Sequence, residues 1–315
     1  MNRKIALTLN VKAAHKGRRV DKVISEAFKE FSRSHLQNLI KEGAVKVNGK
    51  EVKPKYALLG NELIEILAKE LPQLQDKPED MDLEIIYEDK DLLILNKPSG
   101  LVVHPGAGNS SGTLVNGLIN FDSELVYLPR AGMVHRLDKN TSGLLMVSRN
   151  EKTYLNLINQ LKERTVSRKY TALVVGQPSK SGIIDKPISR HPKVRTKQAV
   201  VKSGKKAITR FKTFKNLNGY SLIEASLETG RTHQIRVHLS YLGFPIVGDS
   251  LYGGRRKYAK GTSENLKNKI NKFKRQALHA SSLTFNHPST KENLTFESKL
   301  PEDMVNLISS LKDNE

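Results

Sequence analysis

The sequence predicts an α+β protein in which a small domain of two helices and a hairpin sheet precedes a larger domain built on a mixed or antiparallel sheet. Apolar residues recur at helical spacing near the amino terminus, whereas the rest of the chain carries short apolar runs separated by glycine, proline and polar turns. A polar stretch containing prolines divides the two parts. Helices and strands do not alternate regularly enough for a doubly wound sheet.

Two short helices are predicted in the first part. From Val20 the apolar positions follow a helical spacing as far as Phe31. Ser32 or Ser34 can then cap a second helix, and Gly43 would end it. Each helix has one apolar face, so both are expected to pack on a small sheet.

That sheet is predicted from the residues that follow. AVKVNGKEV places Asn48 and Gly49, a pair typical of two-residue hairpin turns, between two strands, and NELIEIL supplies a further strand. KELPQLQDKPEDMD has two prolines and few apolar residues, so it is predicted to be a linker. We therefore divide the chain into a domain of residues 1–75, which includes the start of the linker, and a domain of residues 76–315.

The second part is rich in predicted strands, with a helix predicted at 151–163 between them. The glycine-rich stretch HPGAGNSSGTLVNG leads into another helix at Thr113. It has no lysine and does not match G-x-x-x-x-G-K-[ST], so we interpret it as a flexible loop and discount an ATP or GTP site. The predicted strands are LEIIY, LLILN, LLMVS, YTALVVG, SLIEASL and LTFNH.

Composition excludes several classes of protein. The 315 residues include no cysteine, which excludes disulfides, thiolate catalysis and cysteine-based metal sites and favours a reducing compartment. The apolar stretch at the amino terminus is short and broken by Asn10, and no later run approaches the length of a membrane span. We therefore expect a cytoplasmic protein with no membrane partner.

The formal net charge of +21 indicates a polyanionic partner, foremost a nucleic acid. Salt tolerance, an acidic membrane surface or a lysine-rich genome are alternative explanations of the charge alone. Residues 186–215 have eleven Lys or Arg and no acidic residue, and residues 255–275 have nine against the single Glu264. We predict that both are loops that contact phosphates, the alternative being flexible solvated loops.

The stretch HRLDKNTS lies between GMV and GLLMV, each predicted to be a buried strand. It should therefore be an exposed connection in which a ligand can reach His135, Arg136, Asp138 and Lys139. The alternative is an ordinary turn in which the Asp138 carboxylate accepts backbone hydrogen bonds. The pattern alone leaves both interpretations open.

TGRTHQIRVHLSYLG predicts a helix that Thr232 caps and that ends before Gly243. Arg236 on this helix either pairs with a surface carboxylate or holds a catalytic carboxylate in its ionised form. His233 and His238 are five residues apart, a poor spacing for two ligands on one helical face, so no metal site is expected. In SRKYTALVVG, Tyr170 at the start of a strand is either a packing residue or a platform on which a base stacks.

Seven segments, taken together and in order, resemble the bacterial RluA family of pseudouridine synthases, and the resemblance covers nearly the whole chain. The amino-terminal part likewise resembles the S4 RNA-binding domain. The resemblance implies that an S4-like domain is followed by a pseudouridine synthase catalytic domain. The segments are NKPSGLVVHPGAGN at 96–109, RAGMVHRLDKNTSGLL at 130–145, RKYTALVVG at 168–176, KPISRHP at 186–192, ETGRTHQIRVHL at 228–239, VGDSLYGG at 247–254 and RQALHA at 275–280.

In this family the aspartate of the H-R-L-D motif is catalytic, and it corresponds to Asp138. The resemblance implies that Arg136 enters the RNA stack where the target base has left, that Tyr170 stacks on the uracil and that Arg236 pairs with the catalytic carboxylate. Isomerising uridine to pseudouridine needs no redox change or energy input, so no cofactor and no metal are expected. Attack on C1′, addition to C6 and removal of a ribose proton all use Asp138 and stay open.

The implied substrate is large-subunit ribosomal RNA, free or in a maturing subunit, modified by a monomer at the stem-loop that contacts the small subunit near the decoding centre. The alternatives are other uridines of ribosomal or transfer RNA, and a non-catalytic RNA-binding factor for ribosome assembly. A DNA-binding regulator is disfavoured because the sequence has no convincing recognition helix with dimer signals.

Overall fold

The computed structural model of the chain describes residues 3–70, 72–106, 108–254 and 258–312. Its helices are α1 (Val20–Ala27), α2 (Arg33–Lys41), α3 (Leu114–Phe121), α4 (Glu151–Glu163), α5 (Gln234–Tyr241), α6 (Glu264–Lys272) and α7 (Glu302–Lys312). Its strands are β1 (Arg3–Asn10), β2 (Val45–Val47), β3 (Lys50–Glu51), β4 (Leu63–Glu70), β5 (Ile85–Glu88), β6 (Leu92–Lys97), β7 (Ser142–Ser148), β8 (Ser167–Val175), β9 (Ser181–Asp185), β10 (Ile188–Arg190), β11 (Gln198–Val200), β12 (Ile208–Leu217), β13 (Tyr220–Leu227), β14 (Leu278–Asn286) and β15 (Asn293–Glu297).

The amino-terminal part is a four-stranded antiparallel sheet in the order β1, β4, β2, β3. The apolar faces of α1 and α2 share one core with the sheet. Asn48 and Gly49 have φ angles of 48° and 75°, as a two-residue hairpin turn with two left-handed positions requires. The predicted hairpin is confirmed, whereas β1, which pairs with β4 along its whole length, was not predicted.

The two helices of this part differ slightly from the prediction. Ser32 is the cap of α2, because its side chain accepts the backbone N–H of His35. Helix α1 ends at Ala27 and not at Phe31, because Phe28 leaves the helical region with φ −108° and ψ 72°. No helix among the described residues is long and apolar enough to cross a membrane.

The larger part is built on a nine-stranded sheet in the order β5, β6, β7, β14, β8, β13, β12, β9, with β15 paired to β14. The pair β7–β14 is parallel and the remaining pairs in this sheet are antiparallel. The predicted α+β class with a mixed sheet is therefore confirmed. Helix α4 has the predicted bounds, and α3 begins at Leu114, directly after Thr113, where a helix was predicted.

The segment before β7 is not the strand that GMV predicted. Arg130, Ala131 and Gly132 have φ angles of 56°, 50° and 77°, and three successive left-handed residues turn the chain away from an extended course. After this turn Met133 makes a single bridge to Val147. The chain then continues as the irregular connection that carries the HRLDKNTS sequence, which begins at a turn and not at a strand end.

Two basic segments predicted to be loops also contain regular structure. Within residues 186–215 the chain forms the β10–β11 hairpin and most of β12. Within residues 255–275, residues 255–257 lie outside the described residues, and α6 forms because Leu266 and Ile270 bury one helical face. All but one of the basic side chains of 186–215 are exposed, and their contact with phosphates stays a prediction.

Replacing Gly132 by Ala is expected to destabilise the larger domain by about 3 kcal/mol or more. A Cβ atom at this position would lie 2.0 Å from the carbonyl oxygen of Ser148, and φ is +77°. Gly112→Ala, in the same domain, is the matched control, since φ is +66° there and no atom lies within 4 Å of the added Cβ. Urea unfolding midpoints measure the two effects, and equal losses would show that the contact with Ser148 is unimportant.

Helix α4 also holds the amino-terminal part in place. The Glu151 carboxylate accepts the backbone N–H of Ser32 at 2.8 Å and contacts Nδ1 of His35 at 3.0 Å. The described residues 72–84, which connect the two parts, form neither helix nor strand. The contacts of Glu151 therefore restrain the S4-like sheet in addition to the chain connection, and the domain boundary at 75 stays a prediction.

Glu151→Gln is expected to loosen this contact at neutral pH. Burial raises the pKa of Glu151, but hydrogen bonds from His35 and Ser32 outweigh it and leave the pKa below its usual value. Such a carboxylate stabilises the folded contact above its ordinary pKa, and the contribution is lost as the pH falls through the lowered pKa. Limited proteolysis within 72–84 should be faster in the variant at pH 7, and the two proteins should converge in acid. Equal rates at pH 7 would contradict this.

Candidate active site

A cleft of about 440 Å³ lies between the loop before β7, strand β8 and the start of α5. The four residues that the sequence predicts as site residues, Asp138, Arg136, Tyr170 and Arg236, all line it. The Asp138 carboxylate accepts a hydrogen bond from Arg236, and no backbone N–H donates to it within the described residues. The interpretation of Asp138 as an ordinary turn residue does not account for this position.

Arg236 connects two carboxylates. Its Nη1 donates to Oδ2 of Asp138 at 2.9 Å, while Nε and Nη2 donate to the two oxygens of Asp249 at 2.7 and 3.0 Å. The Asp249 side chain is fully buried, and that of Asp138 is 18% exposed. Burial lowers the pKa of Arg236, but Asp249 and then Asp138 raise it above its usual value. A permanently charged guanidinium, fixed from behind by Asp249, therefore faces the Asp138 carboxylate.

Asp249 was not identified from the sequence as a functional residue. It lies thirteen positions after Arg236, beyond the end of α5, and side chains so far apart meet only through the tertiary fold. An aspartate in the otherwise apolar and glycine-rich stretch IVGDSLYG was the available signal, since a buried carboxylate requires a partner.

The start of α5 differs from the prediction. His233, and not Thr232, is the residue before the first turn, and its φ of 57° is left-handed. The Gln234 side chain accepts the N–H of Arg231 at 3.0 Å, which replaces a threonine cap. Nε2 of His233 lies 3.8 Å from Oδ1 of Asp138, so the unusual turn brings an imidazole beside the carboxylate.

Comparisons with known proteins agree on one family. The family model described as RNA pseudouridylate synthase matches residues 91–241, and the S4 domain model matches residues 18–64. The chain is 44% identical over 99% of its length to ribosomal large subunit pseudouridine synthase D of Vibrio vulnificus, covering 96% of that protein. The chain belongs to the RNA pseudouridine synthase family.

Other pseudouridine synthases support this assignment. The Escherichia coli K12 ribosomal large subunit pseudouridine synthase D is 41% identical over 99% of the chain and 96% of that protein. The Xanthomonas campestris protein of the same name is 45% identical over 95% of the chain and 90% of that protein. The human RNA pseudouridylate synthase domain containing 4 structure aligns with a TM-score of 0.57 at 27% identity, covering 73% of this chain and 93% of that one.

Two of the predicted residues border the carboxylate of this pseudouridine synthase. Tyr170 lies in β8 and is 5% exposed, and burial raises the pKa of its phenol above the usual value. Arg136 is exposed on the loop two positions before Asp138. Tyr170 is thus a buried aromatic side chain that lines the cleft, and Arg136 is an exposed cation at the edge of the cleft.

Lys97 positions the loop that carries Asp138, and the sequence reasoning did not identify it. Its Nζ donates to the carbonyl oxygens of Pro98, Leu101 and Lys139 at 2.7, 3.0 and 3.0 Å. Burial lowers the pKa of Lys97 and the charge of Asp138 opposes this effect, which leaves the pKa at about 7. The hydrogen bond to Lys139 connects the end of β6 to the residue after Asp138, and the other two fix the chain that follows β6.

One set of side chains outside the cleft could suggest a metal. Among the described residues, ligand atoms of Asp89, Asp91 and His287 lie within 4.8 Å of one another. Nδ1 of His287 already accepts the N–H groups of Ser289 and Thr290, and Nε2 contacts Asp89 at 2.8 Å. Both ring nitrogens are therefore engaged, and the set is a hydrogen-bonded network that joins the strand ends.

Proposed function

We propose that this protein converts uridines of large-subunit ribosomal RNA to pseudouridine, with Asp138 as the catalytic residue. The observation that carries the proposal is the solvent-reachable Asp138 carboxylate, held by Arg236 at 2.9 Å inside a cleft. The substrate follows the names of the relatives, which are ribosomal large subunit pseudouridine synthases. The protein would act in the cytoplasm, as a monomer, on free RNA or on a maturing ribosomal subunit.

The reaction breaks the bond between N1 of uracil and C1′ of ribose, turns the uracil and joins C5 to C1′. The proton on C5 is then lost to solvent and N1 takes up a proton, so the product is an isomer of the substrate. Whichever route is followed, a carboxylate must act as nucleophile or base. The Arg236 guanidinium lies 2.9 Å from Oδ2 of Asp138 and fixes the orientation of the carboxylate. The Oδ2 atom accepts the hydrogen bond from Arg236, whereas Oδ1 accepts none from it and lies 3.8 Å from Nε2 of His233.

The target nucleotide must leave its helix to reach this carboxylate, at a cost of roughly a few kcal/mol. Tyr170 offers a buried ring in the cleft on which uracil can stack, a contact worth about 1–3 kcal/mol per base. Arg136, exposed at the mouth, can fill the space that the base leaves in the RNA. Together these two residues offset the cost of extracting the nucleotide.

Large-subunit RNA transcribed with tritium at C5 of uridine tests the proposal, because each isomerisation replaces the C5 hydrogen and releases tritium to water. The protein is expected to release tritium from this RNA and much less from transfer RNA prepared in the same way. Tritium release from transfer RNA alone would contradict the assignment of large-subunit ribosomal RNA as the substrate. No release from either RNA, or from large subunits assembled with the labelled RNA, would overturn the enzymatic proposal.

A further inference from the structure

Arg168 is a buried cation for which no residue in the described part of the chain supplies an anion. It lies on β8 and is 9% exposed. Its Nε is enclosed and has no hydrogen-bond partner, and no ion pair or hydrogen bond to its guanidinium is formed by the described residues. The enclosed Nε is the costly part of this arrangement, whereas the two terminal nitrogens are not enclosed and are open to a ligand that supplies acceptors.

The guanidinium faces the cleft. Arg168 precedes Tyr170 by two residues on the same strand, so both side chains project from the same face of the sheet. Both line the cleft that contains Asp138. A Cβ atom on Gly230 would lie 2.9 Å from Nη1 of Arg168, so the glycine leaves the space that the guanidinium occupies.

The neighbouring side chains do not compensate the charge. Nε2 of His135 accepts the N–H of Met146 at 3.1 Å, so the neutral ring carries its proton on Nδ1, a buried atom that also has no partner. Burial and then the charge of Arg168 lower the pKa of His135 to about 3, so the ring is neutral at pH 7. Arg168 thus lies beside a second donor and not beside an acceptor.

The other buried arginine of the cleft is different. Arg236 has two carboxylate partners, Asp138 and Asp249. Arg231, which is exposed, donates from Nε to the carbonyl oxygen of Lys206. Arg168 is therefore the buried cation of this cleft, among the described residues, whose charge the protein does not balance.

We propose that Arg168 binds a phosphate that flanks the target uridine. The inference rests on the proposed function and extends it by assigning a second anchor for the flipped nucleotide. The phosphates are the anionic groups that RNA brings into the cleft, and a guanidinium matches their oxygens with two parallel N–H donors. With Nε enclosed, the two terminal nitrogens make the contact. Tyr170 then holds the base and Arg168 holds the backbone beside it.

The test uses a short RNA containing the uridine that the wild-type protein modifies, with a neutral methylphosphonate replacing either its 5′ or its 3′ phosphate. For the wild type, one of the two replacements is expected to lower kcat/KM by about 10–100-fold, as the loss of a hydrogen bond to a charged group does. Arg168→Met should lower kcat/KM on unmodified RNA by a similar factor and show no further loss with that methylphosphonate. Arg168→Lys, which keeps the charge, should remain sensitive to it.

An undiminished methylphosphonate effect in Arg168→Met would overturn the inference, since a structural arginine would not change sensitivity to one phosphate. If Arg168→Met does not fold, the wild type is still informative. Its insensitivity to both methylphosphonate replacements would also overturn the inference. Formation of pseudouridine in unmodified RNA by the wild type is scored separately. If the wild type forms no pseudouridine, both the proposed function and this inference are wrong. If it forms pseudouridine but is insensitive to both methylphosphonates, only the inference is wrong.

Discussion

Asp138→Asn is expected to lower the rate of pseudouridine formation by at least about 10⁴-fold while leaving the fold and the affinity for RNA close to those of the wild type. The amide has nearly the shape of the carboxylate, and its oxygen can still accept the hydrogen bond from Nη1 of Arg236. It cannot attack carbon or accept a proton as a carboxylate does. Single-turnover rates with saturating protein separate this loss from any change in binding.

The control for Asp138→Asn is the dissociation constant for the same RNA, together with the urea unfolding midpoint. Unchanged values of both would assign the loss to the chemical step. A variant that retains a rate within tenfold of the wild type would show that another group performs the chemistry. His233, whose Nε2 lies 3.8 Å from Oδ1 of Asp138, would then be the next residue to replace.

Arg236→Met is expected to cause two separate losses. Removing the guanidinium leaves the fully buried Asp249 carboxylate unpaired, which costs about 3–5 kcal/mol of stability. It also removes the charge that fixes Asp138, and we expect kcat to fall by about 10²–10³-fold, the loss typical of removing one positioned hydrogen-bond donor from an active site. Unfolding midpoints and single-turnover rates measure the two losses independently.

The double variant Arg236→Met with Asp249→Asn distinguishes these roles. It carries no unpaired buried charge at position 249, so its stability should return towards that of the wild type. Its rate should stay low, because Asp138 still has no guanidinium beside it. Recovery of both stability and rate in the double variant would mean that Arg236 only supports the fold.

Features determined by local sequence were predictable. The Asn48–Gly49 turn needs left-handed backbone at both positions, and these two residue types tolerate it. Helix α4 begins where the Asn150 side chain accepts the N–H of Thr153, so its start carries a short-range signal. The family resemblance rests on short motifs, so the candidate site residues could also be predicted from local sequence.

Features determined by contacts between distant parts of the chain were not predictable from the sequence. β1 has alternating apolar residues at Ile5, Leu7 and Leu9, but its pairing with β4 joins the start of the domain to its end. The GMV segment has the composition of a strand, yet the left-handed turn that ends at Gly132 prevents it. The pairing of Arg236 with Asp249 and the unpaired charge of Arg168 become visible only when the folded cleft is known.

Carbodiimide-dependent reverse-transcription mapping shows whether this protein forms pseudouridine and whether Asp138 is needed. Unmodified large-subunit ribosomal RNA is mapped after incubation with the wild type or with Asp138→Ala. Each pseudouridine retains the carbodiimide adduct and appears as a stop. We expect new stops at a small set of uridines with the wild type and at none of them with the variant. The same stops with both proteins would contradict the catalytic role of Asp138, and no stops on free RNA or on assembled subunits would contradict the proposed activity.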